Sequence, residues 1–263
     1  MSPIESREYR IDTPRGQLFA KRWTPAAAGS ALPIVLLHES LGCVALWRDF
    51  PERLAAASRR PVVAYDRLGF GLSPAHPDAL PLDFIEDEAR RDFPVVLRQL
   101  GIERFIAFGH SVGGSMAVAC AAAWPQACQA LVVEAALTFV EPLTLDGIRA
   151  ADRVFARDGQ LQRLERYHGE KARWVLRSWV DTWLSEDFAD WNLDADLARV
   201  RCPILSLHGE LDEYGSQRHP QRLARLAGGP ATLRPLPGCG HVPHRQQPEA
   251  VLDAVVAFLR GHD

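Results

Sequence analysis

Residues 105–114, FIAFGHSVGG, join an apolar run to an Ala-rich segment through a very tight turn, and the rest of the chain is arranged around them. The apolar run ending at Gly109 predicts a buried strand, and residues 112–124 predict a helix. A serine at such a corner is held in a strained backbone conformation that small neighbours such as Gly109 and Gly113 permit. The hydroxyl of Ser111 is therefore expected to project into a cleft, beside the unpaired N–H groups of the helix N-terminus.

A single G-x-S-x-G pattern is weak evidence, since glycine and serine are common, but four further motifs each follow a predicted buried strand. They are His38-Glu39-Ser40 after strand 33–38, D-x-x-G-x-G-x-S (66–73) after strand 61–65, Asp212 in G-x-x-D after strand 202–208, and His241 after strand 231–236. We interpret the 66–73 loop as structural. The other motifs are expected to meet at the carboxyl edge of a parallel sheet.

In this order the five motifs resemble those of the α/β-hydrolase superfamily, and the resemblance covers nearly the whole chain. It implies an α/β fold with a mostly parallel eight-stranded sheet flanked by helices. It also implies a catalytic triad of Ser111 as nucleophile, Asp212 as acid and His241 as base. The backbone N–H groups of Ser40 and Val112 would then form the oxyanion hole.

The chain departs from the family at Glu39, where a glycine is common. Its carboxylate is expected close to the site, where it would pair with an arginine, anchor the loop or select substrates. A salt-bridged or hydrogen-bonded loop residue is the favoured interpretation, because buried carboxylates seldom go unpaired. Together with His38 and His110, Glu39 is predicted to border a substrate pocket, although His110 is expected to point away from the Ser111 hydroxyl and to pack.

Other residues compete for the roles of acid and base. Glu210 and Glu213 flank Asp212, but the G-x-x-D register favours Asp212. Glu134, at the end of the strand that follows the elbow helix, is the second choice for the acid, because some relatives keep an alternative acid there. His244 is expected on the solvent side of its loop rather than as base or metal ligand.

The strand-helix alternation stops between residues 139 and 199, where the pattern predicts helices at 145–157, 161–167, 170–184 and 194–199. This insertion resembles the helical cap of many family members, which divides the chain into a core of 1–138 and 200–263 and a cap of 139–199. Trp179 and Trp183 lie one helical turn apart in it. Core packing is the default interpretation of both, but a cap also lines the cleft, so both are candidate pocket residues.

Composition excludes several classes of protein. A net charge of -3 with mixed charges gives no basic stripe for nucleic acid, and no run of about 18 apolar residues predicts a membrane span. The N-terminal residues lack the apolar core of a signal peptide, so we expect a cytoplasmic protein with reduced cysteines. Histidine and glycine spacings match no zinc, dinucleotide or phosphate-loop motif, so no metal and no cofactor are predicted.

The sequence thus predicts a serine hydrolase that cleaves a small, largely apolar carboxylic ester or lactone through an acyl-enzyme on Ser111. Serine at the elbow argues against the dehalogenases and epoxide hydrolases of the superfamily, which use aspartate there. A C–C bond hydrolase of ring-fission products, a cofactor-free dioxygenase and a small-molecule receptor remain alternatives. The first of these, like an enol-lactonase, would need an arginine facing the pocket, with candidates at Arg149, Arg153, Arg173 and Arg177. A homodimer is left open.

Overall fold

A computed structural model describes residues 3–26 and 28–262; residues 1, 2, 27 and 263, which were assigned to the core, lie outside the described part. Eight strands form one sheet in the order β1-β2-β4-β3-β5-β6-β7-β8. Their bounds are β1 Ile4–Thr13, β2 Gly16–Pro25, β3 Ile34–Leu37, β4 Val62–Tyr65, β5 Phe105–His110, β6 Cys128–Glu134, β7 Ile204–Gly209 and β8 Ala231–Leu236. Only the β1–β2 and β2–β4 pairs are antiparallel, which confirms the predicted, mostly parallel eight-stranded sheet.

Helices cover both faces of the sheet. They are α1 Phe50–Ser58, α2 Phe84–Arg90, α3 Asp92–Gln99, α4 Val112–Ala123, α5 Pro142–Phe155, α6 Leu161–His168, α7 Ala172–Trp183, α8 Asp194–Leu197, α9 Arg218–Leu226, α10 Pro243–Gln246 and α11 Pro248–Arg260. The sheet separates two apolar clusters, one packed against α3 and α4 and the other against α1 and α11. Strands β3 to β6 are almost completely buried and largely apolar because both of their faces are covered.

Two predicted helices differ from the structure. Residues 46–57, where Trp47, Phe50 and Leu54 have the spacing of one helical face, predict a single helix but form a 3₁₀ turn at Val44–Trp47 followed by α1. Residues 83–100, with Asp83 as a capping residue and Gly101 at the end, also predict one helix, which in the structure is broken at Arg91 into α2 and α3. Pro94 accounts for the break, because its ring would clash with the carbonyl of Arg90 in a continuous helix.

The segment between β6 and β7 holds helices α5 to α8, and within it the described residues form only an isolated bridge, between Phe139 and Asn192, and no strand. Lys171, the residue before α7, anchors this segment to the 66–73 loop. Lys171 Nζ donates hydrogen bonds to the carbonyls of Gly71 (2.7 Å) and Ser73 (2.8 Å). The cap boundaries at 139 and 199 stay an interpretation. None of the described helices is both long and apolar enough to cross a membrane.

Gly109 and Gly113 allow neighbouring backbones to approach closely, so a side chain added at Gly113 is expected to destabilise the fold. A Cβ on Gly113 would lie 2.1 Å from the carbonyl oxygen of Leu37 in β3, and one on Gly109 would lie 2.0 Å from the carbonyl oxygen of Gly113. We expect Gly113→Ala to lower the free energy of unfolding by about 2–3 kcal/mol, because the strand or the helix must move. Urea titration measures this against Gly261→Ala, where the nearest atom lies at 3.5 Å. Equal midpoints for the two variants would contradict the argument.

Candidate active site

Ser111 lies between the end of β5 and the start of α4. Its backbone has φ 55° and ψ −124°, a region that residues with a side chain rarely occupy. Its own N–H donates to the carbonyl of Glu134 at 2.9 Å, which helps to hold the strained turn in place. The serine is buried, so the hydroxyl that the turn projects is sheltered from bulk water.

Three predicted residues from separate strand ends form one hydrogen-bonded chain. The Oγ of Ser111 lies 2.9 Å from Nε2 of His241, and Nδ1 of His241 lies 2.8 and 2.9 Å from the two carboxylate oxygens of Asp212. Asp212 Oδ1 also accepts the N–H groups of Tyr214 (2.8 Å) and Gly215 (3.0 Å). The donors fix Asp212 as a carboxylate, which in turn places the His241 proton on Nδ1 and leaves Nε2 free to accept from the serine.

Asp212 and His241 each stabilise the charged form of the other. Burial alone would raise the pKa of Asp212, but the hydrogen bond and charge of His241 hold it below its usual value. Burial alone would lower the pKa of His241, but the hydrogen bond and charge of Asp212 raise it, with smaller contributions from Glu213 and Glu39. The arrangement therefore stabilises an imidazolium at His241, which is the form a base takes after removing a proton.

This electrostatic balance predicts a pH dependence. The base must be neutral, so kcat/KM should rise with pH through the raised pKa of His241 and its acid limb should lie above 6.5. Glu39→Gln removes a negative charge that raises this pKa, so the limb should move to lower pH. The pH–rate profile measures both, with Glu210→Gln as an exposed control. A limb that moves to higher pH, or moves equally in the control, would contradict the assignment.

The predicted oxyanion donors line the same small cavity. Val112 is the first residue of α4, where a helix leaves its N–H groups without intrahelical partners, and Ser40 follows β3. Both line a space of about 10 Å³ together with Trp179. Their role as donors stays a prediction.

Glu39 is hydrogen-bonded within its own loop. Its Oε2 accepts the N–H of Leu41 at 2.5 Å, while its backbone carbonyl accepts from Nη2 of Arg67 at 3.1 Å. Within residues 3–26 and 28–262 its carboxylate makes no ion pair with an arginine. Glu39 is therefore a hydrogen-bonded loop residue, as the favoured interpretation has it. Its role in selecting substrates stays a prediction.

A cavity of about 140 Å³ opens beside Ser111 and His241. Of the predicted pocket residues, His38, Glu39, His110 and Trp179 line it. Residues that the sequence did not single out also line it, namely Leu41, Gly42, Cys43, Leu46, Trp47, Leu137, Thr144, Ile148, Tyr214, Val242 and Arg245. Tyr214 packs on the ring of His241 with centroids 4.7 Å apart. Proximity to the predicted acid Asp212, two residues before it, was the sequence signal for Tyr214.

Trp183 does not line this cavity, but it lines the space of about 10 Å³ that Ser40, Val112 and Trp179 share, so its place in a substrate pocket stays a prediction. It is buried in an aromatic cluster, with its ring 5.2 Å from Phe188 and 5.5 Å from Trp191. The four cap arginines also lie away from the cavity: Arg177, for example, pairs with Asp152 at 2.8 Å. The arginine that lines it is Arg245, outside the cap.

The prediction for His244 is corrected, since the side chain is buried rather than on the solvent side. Pro243 begins the short helix α10, which turns His244 inward, and Glu134 Oε1 accepts both its Nδ1–H (2.9 Å) and its backbone N–H (2.6 Å). Glu134 is thereby engaged with His244 and not with His241. His110 points away from the serine hydroxyl, as predicted, and its Nε2 donates to the carbonyl of His241 at 2.7 Å.

In the part of the chain that the structure describes, one group of side chains has the composition of a metal site: His110, Glu134 and His244 offer ligand atoms within 4.8 Å of one another. A metal bound by His244 through Nδ1 would have to displace the proton that Glu134 now accepts. The three side chains are satisfied in part without an ion.

Known proteins resemble this chain in sequence and in fold. The family model described as "Alpha/beta hydrolase family" matches residues 34–254, which include every member of the hydrogen-bonded chain. The chain belongs to the α/β-hydrolase family. Fold and relatives together indicate a hydrolase.

This α/β-hydrolase has curated relatives of similar length. It is 29% identical over 241 residues to a Caulobacter protein provisionally named carbamate hydrolase RutD, covering 80% of this chain and 85% of that one. It is 27% identical over 256 residues to the sn-1-specific diacylglycerol lipase ABHD11 of Mus musculus, covering 86% and 80%. Among solved structures, the 2-hydroxy-6-oxo-6-phenylhexa-2,4-dienoate hydrolase of Rhodococcus sp. superposes with a TM-score of 0.78 at 19% identity, covering 98% and 100%. The last likeness concerns the fold alone.

Proposed function

We propose that this α/β-hydrolase is a serine hydrolase that cleaves a small, largely apolar carboxylic ester or lactone. The observation that carries the proposal is the continuous chain of short hydrogen bonds from Ser111 through His241 to Asp212, next to a cavity. A serine hydroxyl becomes a nucleophile when a positioned imidazole accepts its proton.

In the proposed reaction, Ser111 Oγ attacks the acyl carbon while Nε2 of His241 takes the hydroxyl proton. Asp212 stabilises the imidazolium that forms. The N–H groups of Val112 and Ser40 receive the developing oxyanion. His241 then returns its proton to the leaving alcohol, and a water molecule, activated by the same imidazole, releases the acid from the acyl-enzyme.

Cavity size and lining support the choice of substrate. A volume of about 140 Å³ suits a short acyl group, and Leu137, Ile148 and Trp179 offer it apolar contacts. The names of the two relatives, a carbamate hydrolase and a diacylglycerol lipase, support cleavage of an acyl bond. The dioxygenase and receptor alternatives have no observation of their own in their favour. For C–C bond cleavage there is only the shared fold, and Arg245 is the one arginine at the cavity.

The test is active-site labelling with a fluorophosphonate followed by peptide mass spectrometry. We expect one adduct, located on Ser111, and turnover of short-chain p-nitrophenyl esters or lactones that declines as the acyl chain lengthens. Ser111→Ala serves as the labelling control. An adduct on another residue, or an unlabelled protein without turnover of any ester or lactone, would overturn the proposal.

A further inference from the structure

The active-site cavity holds a second carboxylate–imidazole pair, formed by Glu134 and His244. Both side chains are buried, and His244 reaches Glu134 Oε1 through Nδ1 at 2.9 Å and through its backbone N–H at 2.6 Å. His244 lines the same cavity as Ser111, three residues after His241 in the chain. Among the described side chains only that of His241 hydrogen-bonds the Ser111 hydroxyl, so the proposed triad leaves the second pair without a role.

One proton of the His244 ring is placed by its partner. Burial alone would raise the pKa of Glu134, but the charge and hydrogen bonds of His244 hold it below the usual value, so the carboxylate is ionised. An ionised carboxylate only accepts hydrogen bonds, which places a proton on Nδ1 of His244. The other nitrogen, Nε2, is left for a second hydrogen bond, as an acceptor in a neutral ring or as a donor in an imidazolium.

The ring is also fixed in position. Its centroid lies 4.8 Å from Trp47, 5.3 Å from Phe50 and 5.0 Å from His110. Nε2 makes no hydrogen bond with any described residue. Nδ1 of His110 and Oε2 of Glu134 are fully buried and without a hydrogen-bond partner. Nε2 of His244 is not among these fully buried atoms, so it is accessible. The wall of the cavity therefore carries a fixed polar atom without a hydrogen-bond partner among the described residues.

We infer that His244 is a specificity-determining residue, oriented by Glu134, whose Nε2 forms a hydrogen bond with a hydroxyl group of the substrate. This inference rests on the proposed hydrolase function and narrows the substrate class to hydroxylated esters or lactones. A hydroxyl both donates and accepts, so a substrate that carries one there satisfies Nε2 in either protonation state of the ring. Its apolar analogue displaces water and leaves Nε2 unpaired in an otherwise largely apolar space.

Matched pairs of esters test the inference. Methyl 3-hydroxybutyrate is compared with methyl butyrate, and 2-hydroxyethyl butyrate with propyl butyrate, so that the hydroxyl is sampled on both sides of the bond. In the native protein at least one pair should favour the hydroxylated ester by about tenfold or more in kcat/KM. Equal values of kcat/KM within both pairs would overturn the inference while leaving the hydrolase proposal intact.

Variants assign the preference to His244. The double variant His244→Phe with Glu134→Leu keeps a ring against Trp47 and removes both polar partners, so no buried charge is left unpaired. Its preference should fall to about one, with folding checked by circular dichroism. Glu134→Gln should retain most of the preference, because its amide oxygen still accepts the Nδ1–H. An unchanged preference in the double variant would contradict the assignment.

A measurement that needs no turnover separates this inference from the hydrolase proposal. In ¹⁵N-labelled Ser111→Ala protein, imidazole NMR should show the Nδ1–H tautomer of His244. Its Nε2 resonance should shift with a hydroxylated ester and not with the matched apolar ester. The opposite tautomer, or an equal response to both esters, would overturn the inference whether or not the native protein hydrolyses esters.

Discussion

Replacement of Ser111 by alanine is expected to lower kcat for a short-chain ester by about 10⁶-fold, the scale at which loss of the nucleophile disables a triad. The hydroxyl is the atom that forms the acyl-enzyme, and no other hydroxyl contacts Nε2 of His241 in the described residues. Steady-state kinetics of the purified variant measure the loss. Fluorophosphonate labelling should disappear in parallel.

The matched control for this variant is Ser115→Ala. Ser115 is one turn further along α4, is buried and donates to the carbonyl of Leu137 at 2.6 Å, so the control removes a serine hydroxyl from the same helix. We expect it to retain ester turnover. If Ser111→Ala kept more than about one per cent of the native rate, His241 would be activating water directly, and the acyl-enzyme mechanism would be wrong. Retained oxygen consumption without ester turnover would instead favour the dioxygenase alternative.

The sheet and its functional edge were predictable because they depend on local patterns. Apolar runs mark the buried strands β5 and β7, which Ser111 and Asp212 follow, and His241 follows the more exposed β8. Parallel strands bring their carboxyl ends together whatever the details of packing. The positions of these residues therefore follow from the order of elements along the chain.

Side-chain directions in short or inserted helices were not predictable in this way. His244 was expected in solvent because its neighbours are Pro243 and Arg245, yet the single turn of α10 directs it to Glu134, 110 residues earlier. Trp183 has the same helical spacing as Trp179, but it packs against Phe188 and Trp191 and lines only the smaller space, whereas Trp179 also lines the main cavity. Such choices are made by tertiary packing, which periodicity does not encode.

Replacement of Asp212 by asparagine is expected to lower kcat by about 10⁴-fold while leaving the fold intact. An asparagine amide that donates to His241 would place the proton of the imidazole on Nε2, the nitrogen that must accept from Ser111. Glu134 is not placed to take over the role of the acid, because its Oε1 is bound by His244 and its enclosed Oε2 makes no hydrogen bond with His241. The loss should therefore be larger than in an enzyme with a free second carboxylate nearby.

The pH–rate profile separates this electrostatic role from simple misfolding. Asp212 is the main group that raises the pKa of His241, so the acid limb of the variant should lie at lower pH than in the native enzyme, even as the plateau falls. Glu210→Gln, which changes an exposed carboxylate two residues away, controls for the local loss of charge. A loss of less than about tenfold in Asp212→Asn would mean that another acid supports His241 and that Asp212 is not the triad member. An unchanged acid limb with a large loss would mean that Asp212 acts only by fixing the ring and not by stabilising its charge.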